Sequence, residues 1–231
     1  MPQTIALIGA MPPEISLLQE SLQNLRSEHL ADFDIYCGEY AGKNVVLVLS
    51  GIGKVNAALS TALVLQHRPD FVINTGSAGG LGSGLKVGDV VIGTQTAHHD
   101  VDVTAFGYAI GHVPRMPARF ESDPALCAAA EKAAAAFEHA AVHHGLIVSG
   151  DQFVHSSESV AEVRRHFPDA QAVEMEAAAI AQSCHRFGVP FVVVRAISDL
   201  ADEEADTSFE TFLKTASVHS AKMVLQLIEA L

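Results

Sequence analysis

Short, almost wholly apolar runs recur along this chain, and they limit its fold more than any other feature. They cover residues 4–8, 45–49, 71–74, 87–92, 142–148 and 189–197. Runs of this length and character read as strands buried on both faces of a sheet. Segments of helical period lie between them. Ile15, Leu18, Leu22 and Leu25 mark one helical face, with Pro12 and Pro13 tolerated in its opening turn. Gly51-Ile52-Gly53 turns into a helix carrying Ala57, Ala58, Ala62 and Leu65, which Arg68-Pro69-Asp70 breaks. Ala177, Ile180, Cys184 and Phe187 mark a third, stopped by Gly188 and Pro190. A helix over 124–139 and a closing amphipathic helix through Phe209, Phe212, Leu213, Ala216, Met223, Val224 and Leu227 complete the pattern. The alternation predicts an α/β fold: a single-domain, three-layer α/β/α sandwich over residues 1–231, with a central mixed, largely parallel twisted sheet. Residues 97–120 hold Gly, Pro and aromatic side chains without a clear period and read as a long functional loop.

In open sheets of this kind ligands sit off the carboxyl ends of the strands. Two acidic signals fall there. Ser198-Asp199 follows the run 189–197, and Glu174-Met175-Glu176 stands at the mouth of the helix that Ala177 begins. The helix dipole favours an acidic residue at that position, which accounts for one of Glu174 and Glu176. The other is expected to face the cleft.

Several alternative chemistries fail on the residues. Gly53-Lys54 lacks a P-loop, with Val48 and Val55 where Gly and Ser/Thr are needed. Asn56 breaks G-x-G-x-x-G, and Thr75 stands where a nucleophile elbow needs Gly. Gly76-Ser77-Ala78-Gly79 reads instead as a tight turn that lets backbone approach a ligand. Of the twelve histidines, His98-His99 and His143-His144 are the densest groups. Neither matches a metal motif, and adjacent histidines on a strand point to opposite faces, so they read as surface or loop residues and no metal is expected. A formal charge of −13 argues against nucleic acid or an anionic membrane as partner. No apolar run approaches the ~20 residues that span a bilayer. Cys37, Cys127 and Cys184 form no C-x-x-C and read as reduced, mostly buried thiols. With no basic leader after Met1, the expected location is cytoplasmic.

Six segments, in order and at consistent spacing, carry a family resemblance. They are Ile8-Gly9-Ala10-Met11 with Glu14, Ser50-Gly51-Ile52-Gly53-Lys54, Asn74 to Gly80, Asp102 to Gly107, Ser149 to Phe153, and Val173-Glu174-Met175-Glu176 with Arg195-Ala196-Ile197-Ser198-Asp199. Nearly end to end, the chain resembles the bacterial 5'-methylthioadenosine/S-adenosylhomocysteine nucleosidases of the nucleoside phosphorylase superfamily. The resemblance implies hydrolysis of the N-glycosidic bond without cofactor or metal, on a small nucleoside substrate and in a homodimer. It implies that Asp199, oriented by Ser198, protonates purine N7, and that Glu14 activates water, with Arg195 helping to hold it. Ser77 and Gly79 would lie near ribose, water and purine. Phe153 would stack on adenine beside Val154, Met175 would pack under the sugar, and Glu176 would bind the ribose hydroxyls. Ile52, Val103, Phe106, Tyr108, Pro114 and Phe209 would surround a 5'-alkylthio pocket, some of them across the dimer interface.

Phosphorylases of this group carry arginines after the first strand and before the central glycines. This chain has Met11-Pro12-Pro13-Glu14 and Asn74-Thr75 there. A carboxylate repels phosphate and suits water, so hydrolysis is expected, with 5'-deoxyadenosine as a further substrate. The alternatives are hydrolysis of 6-amino-6-deoxyfutalosine, phosphorolysis of purine nucleosides, or a silent nucleoside-binding module. Pro12-Pro13 and His155-Ser156 depart from the family pattern and bear on loop mobility.

Overall fold

The first strand, β1 (Thr4–Gly9), divides its side chains between two cores: Ala6 and Ile8 enter one, Ile5 and Leu7 the other. Successive residues of a strand point to opposite faces, so a run that is apolar throughout must be covered twice. A computed structural model shows how, and it describes residues 2–134, 140–202 and 205–231. The remaining elements in chain order are α1 (Pro12–Ser21), β2 (Gln23–Leu30), β3 (Phe33–Tyr40), β4 (Lys43–Leu49), α2 (Lys54–Val64), β5 (Phe71–Gly80), β6 (Val90–His98), β7 (Phe120–Glu121), α3 (Pro124–Ala134), β8 (Val142–Ser149), α4 (Ser157–His166), β9 (Ala170–Glu174), α5 (Ala177–Phe187), β10 (Phe191–Asp199) and α6 (Ala205–Ala230). Helices α2 and α5 cover one face through Ala57, Val64, Ile180 and Cys184. Helices α1, α3 and α6 cover the other through Leu18, Leu126, Val224 and Leu227. The predicted three layers are present.

The sheet is mixed. β1 runs parallel to β4 and β5, and β5 runs parallel to β10. Antiparallel pairs join β10 to β6, β3 to both β2 and β4, and β9 to β5. The last pair adds something to the open sheet expected, because β5, β10, β6, β8 and β9 close in a ring of pairings. β10 is irregular at its end. Ile197 faces Ala78, but Asp199 faces Gly79, so Ser198 is an extra residue in the ladder.

Several expectations change. Helix α1 stops at Ser21, and Leu25 lies on the solvent-exposed strand β2 rather than on a helical face. Residues 76–79, expected as a tight turn, continue β5. Their glycines serve close packing: a Cβ at Gly76 would come within 2.6 Å of Arg195 Nη1, and one at Gly79 within 2.9 Å of Asp199 Oδ1. His98 and His99 are buried, not surface residues. His98 Nε2 pairs with Gln182 Oε1 at 2.9 Å, and burial lowers the pKa of both imidazoles. Of the cysteines, Cys184 is buried and Cys37 and Cys127 are half-buried, all three free. The helix expected over 124–139 is present to Ala134; residues 135–139 lie outside the described residues. Helix α4 and strand β9 add to the elements that periodicity predicted.

Candidate active site

At the carboxyl ends of β1, β5, β9 and β10 opens a cavity of about 250 Å³. Glu14 reaches it from the first turn of α1. Pro12 and Pro13 fill the first two helical positions, where an N–H would have no intrahelical partner. That leaves the Glu14 carboxylate to reach back and accept from the N–H groups of Ala10 and Met11, at 2.9 and 3.1 Å on Oε2. Oε1 accepts from the Ser77 N–H and hydroxyl. The residue is 3% exposed, yet it lines the cavity.

Asp199 occupies the opposite wall. Oδ1 accepts from the Ala201 N–H and Oδ2 from the Ser198 hydroxyl, each at 2.9 Å. Burial pushes its carboxyl above the ordinary range, against the lowering effect of those two bonds. Oδ1 is thus held by a backbone donor and Oδ2 by a hydroxyl, which can rotate.

The two glutamates at the head of α5 both line the cavity, contrary to the expectation that only one would, but they differ in their partners. Glu174 is the helix cap: it accepts from the N–H groups of Glu176 and Ala177, from the Ser149 hydroxyl and from Arg195 Nη2. Glu176 instead accepts from the Gly53 N–H at 2.8 Å and faces the cavity. Burial, and next the Glu174 charge, raise its pKa to about 8. Arg195 is 1% exposed and does not line the cavity. Its guanidinium lies behind the wall on Glu174 and on Asn74 Oδ1, the latter at 2.8 Å, as a fixed cation among Glu174, Glu176 and Glu14.

The remaining wall is apolar. Ile52, Ser77, Gly79, Phe153, Val154, Met175, Ser198 and Phe209 all line it. The rings of Phe153 and Phe209 meet edge to face at 5.7 Å, and His155 stacks on Phe153. Val103, Phe106, Tyr108 and Pro114 do not line the cavity of this chain, and Phe106 is 82% exposed. Ala10, Met11, Ala78, Gln152, Val173 and Glu174 line it beyond those foreseen. Each lies within one of the segments that carry the family resemblance, which is the signal that could have found them. Among the described residues, no Lys or Arg lines the cavity. An anion would meet carboxylates and no cation there, whereas an apolar, uncharged ligand finds aromatic stacking surface beside acidic side chains.

A family model described as the phosphorylase superfamily matches residues 4–229. The 5'-methylthioadenosine/S-adenosylhomocysteine nucleosidase of Anoxybacillus flavithermus is 54% identical over 228 residues, covering 98% of either chain. That of Bacillus subtilis is 50% identical, covering 97% of this chain and 98% of its own. Among solved structures, the nucleosidase of the same name from Neisseria meningitidis, in complex with methylthio-immucillin-A, is 64% identical. It superposes with a TM-score of 0.98 over 99% of this chain and 100% of its own.

Proposed function

The chain belongs to the phosphorylase superfamily, among its 5'-methylthioadenosine/S-adenosylhomocysteine nucleosidases, and from that premise we infer how its cleft works. The reaction is hydrolysis of the N-glycosidic bond of methylthioadenosine and S-adenosylhomocysteine, which releases adenine and a 5-thioribose product. Such cleavage passes through a cationic, oxocarbenium-like sugar, so it needs a better leaving group and a nucleophile on the opposite face. Asp199 supplies the first, donating its carboxyl proton to purine N7 so that adenine leaves neutral. Glu14 supplies the second, taking a proton from water as the oxygen bonds to the anomeric carbon. One proton is given and one taken, and exchange with solvent resets both carboxyls. Glu176 holds the ribose hydroxyls, and a cationic sugar beside it favours its ionised form. Phe153 stacks on the purine, with Val154 and Met175 packing around the nucleoside. Arg195 acts from behind the wall, keeping three carboxyls together that would otherwise repel.

We further propose a homodimer in which the partner's copy of the 101–117 segment completes the 5' pocket. The exposed Phe106 supports this reading. No described helix is long and apolar enough to cross a membrane. Three free cysteines support a cytoplasmic setting.

One observation carries the hydrolytic assignment: among the described residues, the nucleophile's side of the cavity presents Glu14 and no cation. The test is adenine release from methylthioadenosine, S-adenosylhomocysteine, 5'-deoxyadenosine, aminofutalosine and adenosine, with and without phosphate. Turnover of the two thio-substrates should not respond to phosphate, and formation of a ribose 1-phosphate would overturn the assignment.

A further inference from the structure

At the far end of the sheet from the cleft, three donor side chains of different kinds converge. Glu28 lies on β2, Cys37 on β3, and His67 closes the 3-10 turn Leu65–His67 that follows α2. One oxygen, the sulfur and one ring nitrogen all lie within 4.8 Å of one another. Cys37 Sγ and Glu28 Oε1 are 4.0 Å apart. Among the described residues, no other three His, Cys, Asp or Glu side chains meet so closely. β3 pairs Cys37 with Val46, and β4 pairs Val46 with Ala6. Cys37 therefore sits level with Ala6, in the first half of β1, while Glu14 follows the other end of that strand. The cluster is no part of the nucleosidase site.

We propose that Glu28, Cys37 and His67 form a binding site for one divalent transition-metal ion of the zinc class. The donor set is the first argument. Thiolate, imidazole and carboxylate together suit zinc, cobalt and their neighbours, whereas magnesium and calcium take oxygen donors. Spacing is the second. Bonds of about 2.0–2.3 Å to a tetrahedral ion put donor atoms roughly 3.3–3.6 Å apart. The observed separations are a little wider, and Glu28, exposed on β2, has room to close the difference by side-chain rotation. Availability is the third. Among the described residues His67 makes no hydrogen bond, and Glu28 has only its long contact with the thiol.

One neighbour opposes the ion. Arg26 stands opposite Cys37 across the β2–β3 pair. Metal binding displaces the thiol proton to solvent, and a dication with one thiolate and one carboxylate is neutral overall, so the guanidinium then faces no net charge. A fourth position remains for water. β2 is the outermost strand of the sheet. The ion would tie that edge, through β3, to the turn that follows α2, and its effect is on stability rather than turnover.

The full chain, stripped with chelator, should be titrated with cobalt(II) while the thiolate-to-metal charge-transfer absorption is followed, and zinc should then be added in competition. The expected result is one cobalt per chain with a sulfur band, displaced by zinc, and a melting temperature that rises with zinc concentration. Cys37→Ser should abolish the band and Cys127→Ser should leave it. His67→Gln and Glu28→Gln, on solvent-accessible side chains, should each weaken binding more than about tenfold. These two keep the question open to test if Cys37→Ser disturbs folding. Absence of a saturable sulfur band in the parent protein, or a band that survives in Cys37→Ser, overturns the proposal.

Discussion

Ser77 donates two hydrogen bonds to one oxygen of Glu14, from its backbone N–H at 2.9 Å and from its hydroxyl at 3.0 Å. Sixty-three residues of chain separate the two, and the contact ties the first turn of α1 to β5. With Ala10 and Met11 donating to the other oxygen, every donor around this carboxylate points inward. The site therefore demands an acceptor on both sides.

Glu14→Gln is consequently not a neutral probe. Its amide NH₂ would face N–H donors whichever way it turned, leaving a buried donor pair unsatisfied. We expect kcat to fall by about 10²–10⁴-fold through loss of the base, together with a lower melting temperature. Steady-state kinetics and a thermal melt on the same sample check both.

Asp199→Asn should separate chemistry from folding. Asn can keep the Ala201 N–H on its oxygen and donate its NH₂ to Ser198 Oγ, a hydroxyl that turns to accept. It cannot deliver a proton. We expect kcat to drop by ~10²–10⁴-fold with little change in melting temperature or adenine affinity. A kcat within about tenfold of the parent, below the general-acid range, would remove Asp199 from its role.

Gly76→Ala tests the close packing of β5. The new methyl would stand 2.6 Å from Arg195 Nη1 and 2.7 Å from Glu14 Oε1, displacing both. We expect a stability loss of about 1–3 kcal/mol and, since a misplacement of about 1 Å can cost 10²-fold, a comparable fall in kcat. Denaturant titration and kcat measure the two effects.

Glu176 should leave a signature in stability against pH. Its pKa rises from 4.5 to about 8 on folding. Between those values the folded state holds more protons than the unfolded one, so stability falls as pH rises. The contribution is complete below 4.5 and lost through about 8. Glu176→Gln should flatten this slope, read as melting temperature across that range. A slope unchanged by the substitution would show that other groups cause it.

The 101–117 segment makes the dimer testable. A stable interface buries about 1,200–2,000 Å², and the exposed Phe106 is suited to its core. Sedimentation should give a dimer, and Phe106→Asp should weaken it and raise KM for thioether substrates more than for adenosine. An active monomer at assay concentration would sink the proposal.

Much of this architecture was legible because β1, β4 and β10 are buried on both faces, and only continuous apolar runs meet that demand. The β2–β3 hairpin was not. Every residue of β2 is exposed, so no period marks it, and Leu25 extended the spacing of α1 by coincidence. The glycines of β5 misled for a related reason: glycine weakens strands in general, and the reason it occurs here lies in side chains from β10 and α1. In the cleft, Asp199 and the pair Glu174 and Glu176 stood out as charges beside apolar elements, whereas Glu14 was reached only through the family resemblance. The seat of Arg195 did not, because its partners Asn74 and Glu174 come from distant segments that only the folded sheet brings together.

The extra residue at the end of β10 has a consequence for anyone redesigning this protein. With unbroken pairing, Ser198 would face Gly79, and Asp199 would move one place along, its side chain turned to the opposite face. A library selected for sheet regularity or thermal tolerance would favour that repair, since the ladder gains a pair. Such variants would keep every reactive residue in their sequence and still be inactive. The position of Asp199 is thus encoded in a local miscount of backbone, which a comparison of side-chain identities cannot detect.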